Sequence, residues 1–297
     1  MTGIALQCLP SAANAAKRLA AQFGISLSEI EVHRFPDEEL RVTVGPAAAT
    51  TIIYASLHQP NEKLLALLFA SEALRRGGAK RLVLVAPYLC YMRQDTAFHA
   101  GEAVSQKVIG NLLAEAFDRI ITVDAHLHRT ANIRDVFSGI EADDLSAMPA
   151  VAETLRTGID RQTVVVGPDE ESRPWVSDLA ARLGLDFAVA RKSRRGDRAV
   201  EITFPDPARL ANRPVLLVDD IVSSGATLSA CAKALQSAGA TSIDAVITHA
   251  LFPPELVGAL FAAGICSVKS TDSVPHPTNA IALDGVLAEA LRKECGA

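Results

Sequence analysis

The sequence predicts an α/β protein built from two similar open parallel-sheet domains flanked by helices. Short runs rich in Val, Ile and Leu alternate with segments of helical period, as is typical of parallel strands covered on both faces. In each half of the chain an apolar strand ends in polar residues, a helix follows, and a second strand ends in Asp. The 297 residues suffice for about two domains. We therefore predict domains at 1–145 and 146–297, with a last helix that could pack on either half.

The predicted elements follow in order along the chain. The strands are near-continuous apolar runs at 51–55, 81–86, 119–123, 163–166, 215–218 and 243–248. The helices are amphipathic segments at 62–76, 102–117, 172–183, 227–238, 254–263 and 283–293. Asn61 is expected to cap the first helix and Gly77-Gly78 to end it. The pair of segments 81–88 and 119–126 resembles the pair 163–169 and 215–220, which indicates an internal duplication.

Composition excludes several classes of protein. A net charge of −5, from 29 basic and 34 acidic residues, argues against a nucleic-acid or membrane-surface partner. With 49% hydrophobic and 21% charged residues the chain is not disordered. No apolar run is long enough to span a bilayer, and residues 1–20 lack the order of a secretory signal. Five widely spaced cysteines without a CxxC pair are expected to be reduced, buried thiols, so we predict a cytoplasmic enzyme.

The strongest motif follows the predicted strand at 215–218. Two carboxylates and a loop of small residues precede a helix: Asp219, Asp220, Ser223, Ser224, Gly225, Ala226 and Thr227. Main-chain N–H groups at a helix start suit a phosphate, and Gly225 lets the backbone approach it closely. The two aspartates would repel phosphate but suit the hydroxyls of a neighbouring sugar. The alternative is an ordinary strand-to-helix turn with a Ser cap. The patterns GxxxxGK[ST] and GxGxxG are absent.

Two further constellations could bind a nucleotide. Phe35, Asp37 and Glu39 alternate at the end of a predicted short strand, so they would share one face, where a ring could stack on a base. Arg93-Gln94-Asp95 follows the strand at 81–86, and an Arg fork can bridge phosphate oxygens. Taken alone, these residues are better explained as an edge strand with solvated acids and as a solvated polar loop, so the nucleotide interpretation depends on the other motifs.

A metal site and a basic segment complete the candidates. Asp124 and His126 follow the strand at 119–123, and carboxylate with imidazole can hold a divalent cation, with Mg²⁺ favoured by oxygen ligands. His128 is interpreted as a surface residue. Lys192 and Arg194 lie in a run of bases at 191–198, between two apolar runs, which predicts a mobile hairpin. By composition alone this run is a solvated loop or a nucleic-acid patch.

These motifs together resemble a known family. The loop at 219–227 looks like the 5-phosphoribosyl 1-diphosphate (PRPP) motif of type I phosphoribosyltransferases. Six further segments are similar to the ribose-phosphate diphosphokinases, or PRPP synthetases, and occur in order: Arg34-Phe35-Pro36-Asp37 with Glu39, Tyr91-Met92-Arg93-Gln94-Asp95, Thr122-Val123-Asp124-Ala125-His126, Gly167-Pro168-Asp169, Lys192 with Arg194, and Thr248-His249-Ala250-Leu251-Phe252. They extend over nearly the whole chain.

The resemblance implies a fold, a reaction and a role for each motif. Both domains would be of the phosphoribosyltransferase kind, and the diphosphoryl group of Mg-ATP would pass to the 1-hydroxyl of ribose 5-phosphate, giving PRPP and AMP. Mg²⁺ would be held near His126 and Asp169, and the protein would be a homo-oligomer, a dimer or larger. The implied catalytic residues are Lys192 and Arg194. ATP would be bound by Phe35, Asp37 and Glu39 from a neighbouring subunit and by Arg93, Gln94 and Asp95. Ribose 5-phosphate would be bound by Asp169, Asp219, Asp220, Ser223, Ser224, Gly225, Ala226 and Thr227.

Three departures from the family pattern carry expectations of their own. Glu170-Glu171 follows Asp169 where small glycines are common, which places extra negative charge beside a diphosphate unless the side chains point away. Ala226 stands where Gly is frequent and would be strained at positive φ. Residues 96–102 are closer to the archaeal type than to the basic stretch through which phosphate and ADP regulate bacterial enzymes, which argues against that regulation.

Two other functions stay open at this point. A non-catalytic regulatory relative would bind ATP without releasing AMP; Glu170 and Glu171 favour it, whereas Lys192, Arg194 and His126 argue against it. A phosphoribosyltransferase would consume PRPP with a free base and need no ATP. That alternative leaves the motifs at 35–39 and 93–95 without a purpose.

Overall fold

A computed structural model describes residues 3–195 and 199–296 of the chain. The chain divides into two compact units. Unit 1 consists of the residues up to Leu145 together with those from Leu283 onward, and unit 2 is Ser146–Ala282. The last helix therefore belongs to unit 1, although it follows unit 2 in sequence.

Unit 1 is a parallel sheet with helices and an additional hairpin. Its strands are β1 (Ile4–Cys8), β2 (Leu27–Glu29), β3 (Glu31–Arg34), β4 (Leu40–Thr43), β5 (Thr50–Tyr54), β6 (Arg81–Ala86), β7 (Arg119–Val123) and β8 (Glu141–Leu145). Its helices are α1 (Ala13–Phe23), α2 (Pro60–Arg76), α3 (Ser105–Ala116), α4 (Ile133–Val136) and α9 (Asp284–Cys295). The six-stranded sheet has the order β2-β1-β5-β6-β7-β8, and β3 pairs with β4 in an antiparallel hairpin.

Unit 2 is built in the same way. Its strands are β9 (Val164–Gly167), β10 (Asp186–Val189), β11 (Arg191–Arg195), β12 (Ala199–Thr203), β13 (Pro214–Val222), β14 (Ser242–Ala250), β15 (Ser267–Thr271) and β16 (Asn279–Ile281). Its helices are α5 (Met148–Leu155), α6 (Arg173–Leu183), α7 (Ala226–Ser237) and α8 (Leu256–Ala262). The six-stranded parallel sheet has the order β10-β9-β13-β14-β15-β16, and β11 pairs with β12 in an antiparallel hairpin.

The fold class predicted from the sequence is confirmed: each unit is an α/β structure on a parallel sheet. The strand orders show an internal repeat, but the strands that correspond to each other are not the predicted ones. The second core strand is β5 in unit 1 and β13 in unit 2, so β6 corresponds to β14 and β7 to β15. The segments 81–88 and 163–169, matched in the sequence, therefore occupy different places in their sheets. Buried apolar strands look alike in sequence, so the sequence pattern alone could not show which strands of the two units are equivalent.

Each sheet is buried on both faces, as its composition predicts. In β6 the side chains of Leu82, Val83, Leu84 and Val85 are fully buried, and Leu82 and Leu84 belong to a core cluster of unit 1. In unit 2 the corresponding cluster is built on β13 and α7, where Leu217 and Cys231 are fully buried. Strands of this kind are nearly continuous apolar runs because both side-chain directions point into packed protein.

Helix α9 is fixed to unit 1 by a network of ion pairs. Arg119 at the start of β7 has only 4% of its side chain exposed and pairs with Glu294 at 3.1 Å and Asp143 at 2.6 Å. Arg81 at the start of β6 pairs with Glu294 at 2.7 Å. The carboxylate of Glu294 is 7% exposed. The guanidinium groups of Arg119 and Arg81 therefore hold α9 at the amino ends of β7 and β6.

Several local expectations are corrected. Helix α2 begins at Pro60 with Gln59 before it in a left-handed conformation (φ 49°), so Asn61 is not its cap. The Asn61 Oδ1 instead accepts the Tyr91 hydroxyl at 2.5 Å. All five cysteines are free, but Cys266 is exposed and Cys295 is half-buried, so the prediction of buried thiols holds only for Cys8, Cys90 and Cys231. Within the described residues, no helix combines the length and apolarity that crossing a membrane requires.

Candidate active site

The β13–α7 loop of unit 2 has the geometry expected of a phosphate cradle. Gly225 precedes the first residue of α7 with a φ of 69°, and a Cβ there would lie 2.7 Å from the Cδ2 of Leu256. The backbone conformation favours glycine, and a Cβ at this position would force the Leu256 side chain to move. Ala226 opens α7 and is not among the residues with positive φ, so the expected strain does not arise. The N–H groups of the first turn of α7 have no partner within the helix and suit an anion.

Asp219 and Asp220 lie within β13, which continues to Val222 rather than ending at residue 218 as predicted. They are 9% and 7% exposed. The Oδ1 of Asp219 accepts the main-chain N–H of Asp220 at 3.1 Å, and the Oδ1 of Asp220 accepts that of Ile221 at 2.8 Å. Burial, followed by the negative charges of Asp220 and Asp169, raises the pKa of Asp219 well above its ordinary value.

Lys192 brings a positive charge to this group. It lies on β11, and its Nζ is 3.5 Å from the Oγ1 of Thr227 and 3.8 Å from the Oδ2 of Asp169. Three residues predicted to serve one reaction are therefore neighbours in unit 2. Strands β11 and β12 pair as the predicted hairpin requires, with Lys192 opposite Ile202. Arg194 lies on the same strand, but its side chain and residues 196–198 lie outside the described residues.

Glu170, one of the two acidic residues that follow Asp169 where the family commonly has glycines, pairs with a neighbouring arginine. The carboxylate of Glu170 receives two hydrogen bonds from the guanidinium of Arg173, both of 2.8 Å, on an exposed surface. This pairing lowers the pKa of Glu170 and neutralises its charge. Ser172 donates its hydroxyl to the main-chain oxygen of Asp169 at 2.5 Å, which holds the turn that positions the Asp169 carboxylate.

The carboxylates of unit 2 fit a divalent cation. Asp169 and Asp220 both raise the pKa of Asp219 through their charge, with Lys192 acting in the opposite direction. A Mg²⁺ ion prefers carboxylate and water oxygens and would relieve this repulsion. The negative charge around Asp219 and Asp169 is therefore of the kind that the predicted cofactor would neutralise.

In unit 1, Phe35, Asp37 and Glu39 lie in the turn of the β3–β4 hairpin. The prediction that they alternate on a strand is wrong, because Phe35 donates its N–H to the Glu39 oxygen at 2.8 Å and closes a turn. Glu38 takes a positive φ of 74° within it. Phe35 is 38% exposed, so the turn presents an aromatic ring and carboxylates to the outside.

Gln94 and Asp95 are fixed within unit 1, whereas Arg93 is exposed. The Oε1 of Gln94 accepts the hydroxyl of Ser105 at the start of α3 at 2.9 Å. Asp95 accepts the main-chain N–H and the Nη1 of Arg129, both at 2.8 Å. Burial alone would raise the pKa of Asp95, but these bonds from Arg129 outweigh it and hold the pKa below its ordinary value.

His126 lies in the loop after β7. Asp124 has a positive φ of 41° and donates its N–H to the oxygen of Leu145 at 2.8 Å. The next N–H, that of Ala125, bonds to Asp144 at 2.9 Å. The rings of His126 and His128 meet edge to face at 5.4 Å. The end of β8 therefore shapes the loop that carries the predicted metal ligand.

Sequence reasoning missed Arg129 and Asp144, which contact the predicted site loops. Asp95 and Arg129 are 34 positions apart, and Ala125 and Asp144 are 19 apart. Such contacts follow no period of a helix or strand. In the sequence, the only sign of the Asp144 contact is the polar segment that forms β8. Such a segment is typical of a loop rather than a strand.

Two family sequence models match the chain. One is described as the N-terminal domain of ribose phosphate pyrophosphokinase and matches residues 4–116. The other is described as a phosphoribosyl transferase domain and matches residues 144–253.

Named relatives match nearly end to end. A ribose-phosphate pyrophosphokinase of Methanopyrus kandleri is 32% identical over 94% of this chain and 96% of its own length. Ribose-phosphate pyrophosphokinase 2 of Archaeoglobus fulgidus is 33% identical over 94% of this chain and 97% of its own length. The crystal structure of phosphoribosylpyrophosphate synthetase from Mycobacterium smegmatis matches with a TM-score of 0.85 over 98% of both chains at 23% identity, which shows a shared fold.

Proposed function

The chain belongs to the ribose-phosphate pyrophosphokinase family and forms PRPP from ribose 5-phosphate and ATP, and we propose that the residues described above carry out this reaction. The 1-hydroxyl of ribose 5-phosphate attacks the β-phosphorus of ATP. The bond between the β-phosphorus and the α–β bridging oxygen breaks, AMP leaves with that oxygen, and the hydroxyl proton is released. The protein then contributes positioning and charge neutralisation, and no side chain forms a covalent intermediate.

We propose that unit 2 binds ribose 5-phosphate. The loop of Ser223, Ser224, Gly225, Ala226 and Thr227 would hold the 5-phosphate on main-chain N–H groups and hydroxyls. Asp219 and Asp220 would accept hydrogen bonds from the ribose hydroxyls. The single observation that carries this assignment is the conformation of Gly225, a left-handed residue packed against Leu256 at the start of α7.

We propose that Lys192 and Arg194 neutralise the charge of the transferred group. The Lys192 ammonium lies within 4 Å of both Thr227 and Asp169, so it is placed between the phosphate loop and the carboxylates. Arg194 lies on the same strand, two residues further on. A cation aimed at charge that develops in the transition state lowers the barrier more than it tightens substrate binding.

We propose that ATP is bound through unit 1 by Arg93 and Gln94 and by Phe35, Asp37 and Glu39. The exposed ring of Phe35 supports a stacking role. These turn residues would act from a neighbouring subunit, which makes the enzyme a homo-oligomer. Asp169 and His126 would hold Mg²⁺, which supplies charge neutralisation on the diphosphate oxygens. The free thiols are typical of a reducing compartment and support a cytoplasmic location.

The deciding experiment is an assay of AMP and PRPP formation from ATP and ribose 5-phosphate with Mg²⁺. We expect both products in equal amounts. ATP binding without AMP would identify a regulatory relative. Consumption of PRPP with a free base, independent of ATP, would identify a phosphoribosyltransferase. Size-exclusion chromatography with light scattering tests the oligomer, and a monomer with full activity would contradict it.

A further inference from the structure

The side chain of Asp95 is almost completely withdrawn from solvent, with 2% exposed. Its Oδ2 accepts the main-chain N–H of Arg129 and its Oδ1 accepts the guanidinium Nη1, both at 2.8 Å. The same guanidinium lies 5.5 Å from the centre of the Phe98 ring. Both oxygens of Asp95 are therefore engaged by one residue, and that residue lies three positions after His126.

A second set of contacts joins the same two loops through α3. Gln106 is 4% exposed. Its Oε1 accepts the hydroxyl of Thr130 at 2.8 Å, and its Nε2 donates to the main-chain oxygen of Met92 at 3.2 Å. The loop that carries Arg93 and Gln94 and the loop that carries His126 are thus connected on both sides of Asp95.

We propose that Asp95 is a positioning residue rather than a ligand of ATP, and that it fastens the His126 loop to the Arg93–Gln94 loop through Arg129. This inference rests on the assignment of those loops to ATP and Mg²⁺ made above. A carboxylate whose two oxygens already accept charge-assisted hydrogen bonds has little left to offer a ligand, and its charge would repel a triphosphate. A fixed spacing between two binding loops, in contrast, serves catalysis directly.

The test uses a double-mutant cycle on the full-length enzyme. Asp95→Asn keeps an acceptor for the main-chain N–H but removes the ion pair, and Arg129→Ala removes the same ion pair from the other side. Each is expected to raise KM for ATP about fivefold to tenfold. The double variant is expected to stay within about twofold of the single variants, because all three lose one shared interaction. KM for ribose 5-phosphate should stay within about twofold in each, which general loosening of the protein would not produce.

Two controls make the result decisive. Arg129→Lys keeps a cation for Asp95 and is expected to bring KM for ATP back to within about threefold of the unmodified enzyme. Asp178→Asn removes an exposed ion pair with Arg182 on α6 and should change no kinetic constant. If the two single effects multiply in the double variant, or if Arg129→Lys is as impaired as Arg129→Ala, the inference is wrong. Failure of the unmodified enzyme to form AMP would instead overturn the proposed function.

Discussion

Among the residues that the structure describes, Lys192 approaches the phosphate loop, with its Nζ 3.5 Å from the Thr227 hydroxyl. If it acts on the transferred group, its contribution should be largest in the transition state. Lys192→Ala is therefore expected to lower kcat by about 100-fold or more and to leave the affinity for ATP within about threefold. Steady-state kinetics together with calorimetric ATP titration measure both quantities. Unchanged turnover would remove Lys192 from the mechanism.

Asp219 should make the folded protein sensitive to pH in a defined direction. Its pKa is raised by burial and by Asp220 and Asp169, above the ordinary value of 3.8. Between 3.8 and the raised pKa the folded state keeps a proton that the unfolded chain has lost. Stability from this group is therefore lost as the pH rises through that window.

Asp219→Asn should remove this dependence, because an amide needs no proton to be neutral. We expect the variant to gain about 1–3 kcal/mol of unfolding free energy at pH 8 and less at pH 5, while its affinity for ribose 5-phosphate falls. Urea denaturation of the ligand-free protein at both pH values checks this. A variant less stable than the unmodified protein at pH 8 would show that the Asp219 charge is favourably compensated.

At the level of elements, helix α9 depends on Glu294. Hydrogen bonds from Arg81, acting against burial and aided by Arg119, lower the pKa of Glu294 below its ordinary value of 4.5. Its contribution is present above that value and is lost as the pH falls through the lowered pKa. Glu294→Gln removes the negative charge that pairs with the buried Arg119 and should cost about 1–3 kcal/mol.

The matched control lies on the same helix. Glu289 pairs with Arg292 at 2.8 Å, but its side chain is 69% exposed. Glu289→Gln should therefore change the unfolding free energy by less than about 0.5 kcal/mol. Urea denaturation at pH 7 compares the two variants, and kcat should be unaffected in both. Equal effects on stability would mean that the buried network does not hold α9.

The success of the sequence prediction also varied from element to element. The bounds of β6 and β7 coincide with the predicted 81–86 and 119–123, because fully buried parallel strands are continuous apolar runs. Strand β8 was not predicted, since Glu141-Ala142-Asp143-Asp144-Leu145 lies last in its sheet order and is largely polar. The turn at 35–39 was misassigned because alternating residue types were taken as a strand, although Pro36 and Asp37 are typical turn residues.

The candidate site was predictable where one segment contains the whole motif. The loop at 219–227 carries its carboxylates, glycine and hydroxyls in sequence, so its chemistry could be stated before its geometry was known. Asp95 could not be interpreted in this way. Its partner Arg129 is 34 residues away, and only the folded loops show that the ion pair exists.

For the whole molecule, the internal repeat raises the question of what the equivalent loop of unit 1 does. The strand orders place the β5–α2 loop where unit 2 has its phosphate loop. There the Lys63 Nζ donates to the main-chain oxygens of Ser56 and His58 at 2.9 and 2.7 Å and contacts the His58 ring nitrogen Nδ1 at 3.1 Å. Burial lowers the pKa of Lys63 to about 8. Helix α2 begins with Pro60, which has no N–H to offer.

The repeat should therefore provide a single ribose 5-phosphate site per chain. In unit 1 the Lys63 ammonium donates to main-chain oxygens of Ser56 and His58. Helix α2 begins with Pro60, which has no N–H, whereas α7 begins with Ala226, which has one. Calorimetric titration with ribose 5-phosphate, without ATP, should give a stoichiometry of one per chain.

Gly225→Ala, which forces a Cβ against Leu256 at positive φ, should weaken that binding at least about tenfold. Lys63→Met should leave both stoichiometry and affinity unchanged, because it alters only the loop of unit 1. A second site of similar affinity, or binding that survives Gly225→Ala but not Lys63→Met, would mean that the two loops have the opposite roles.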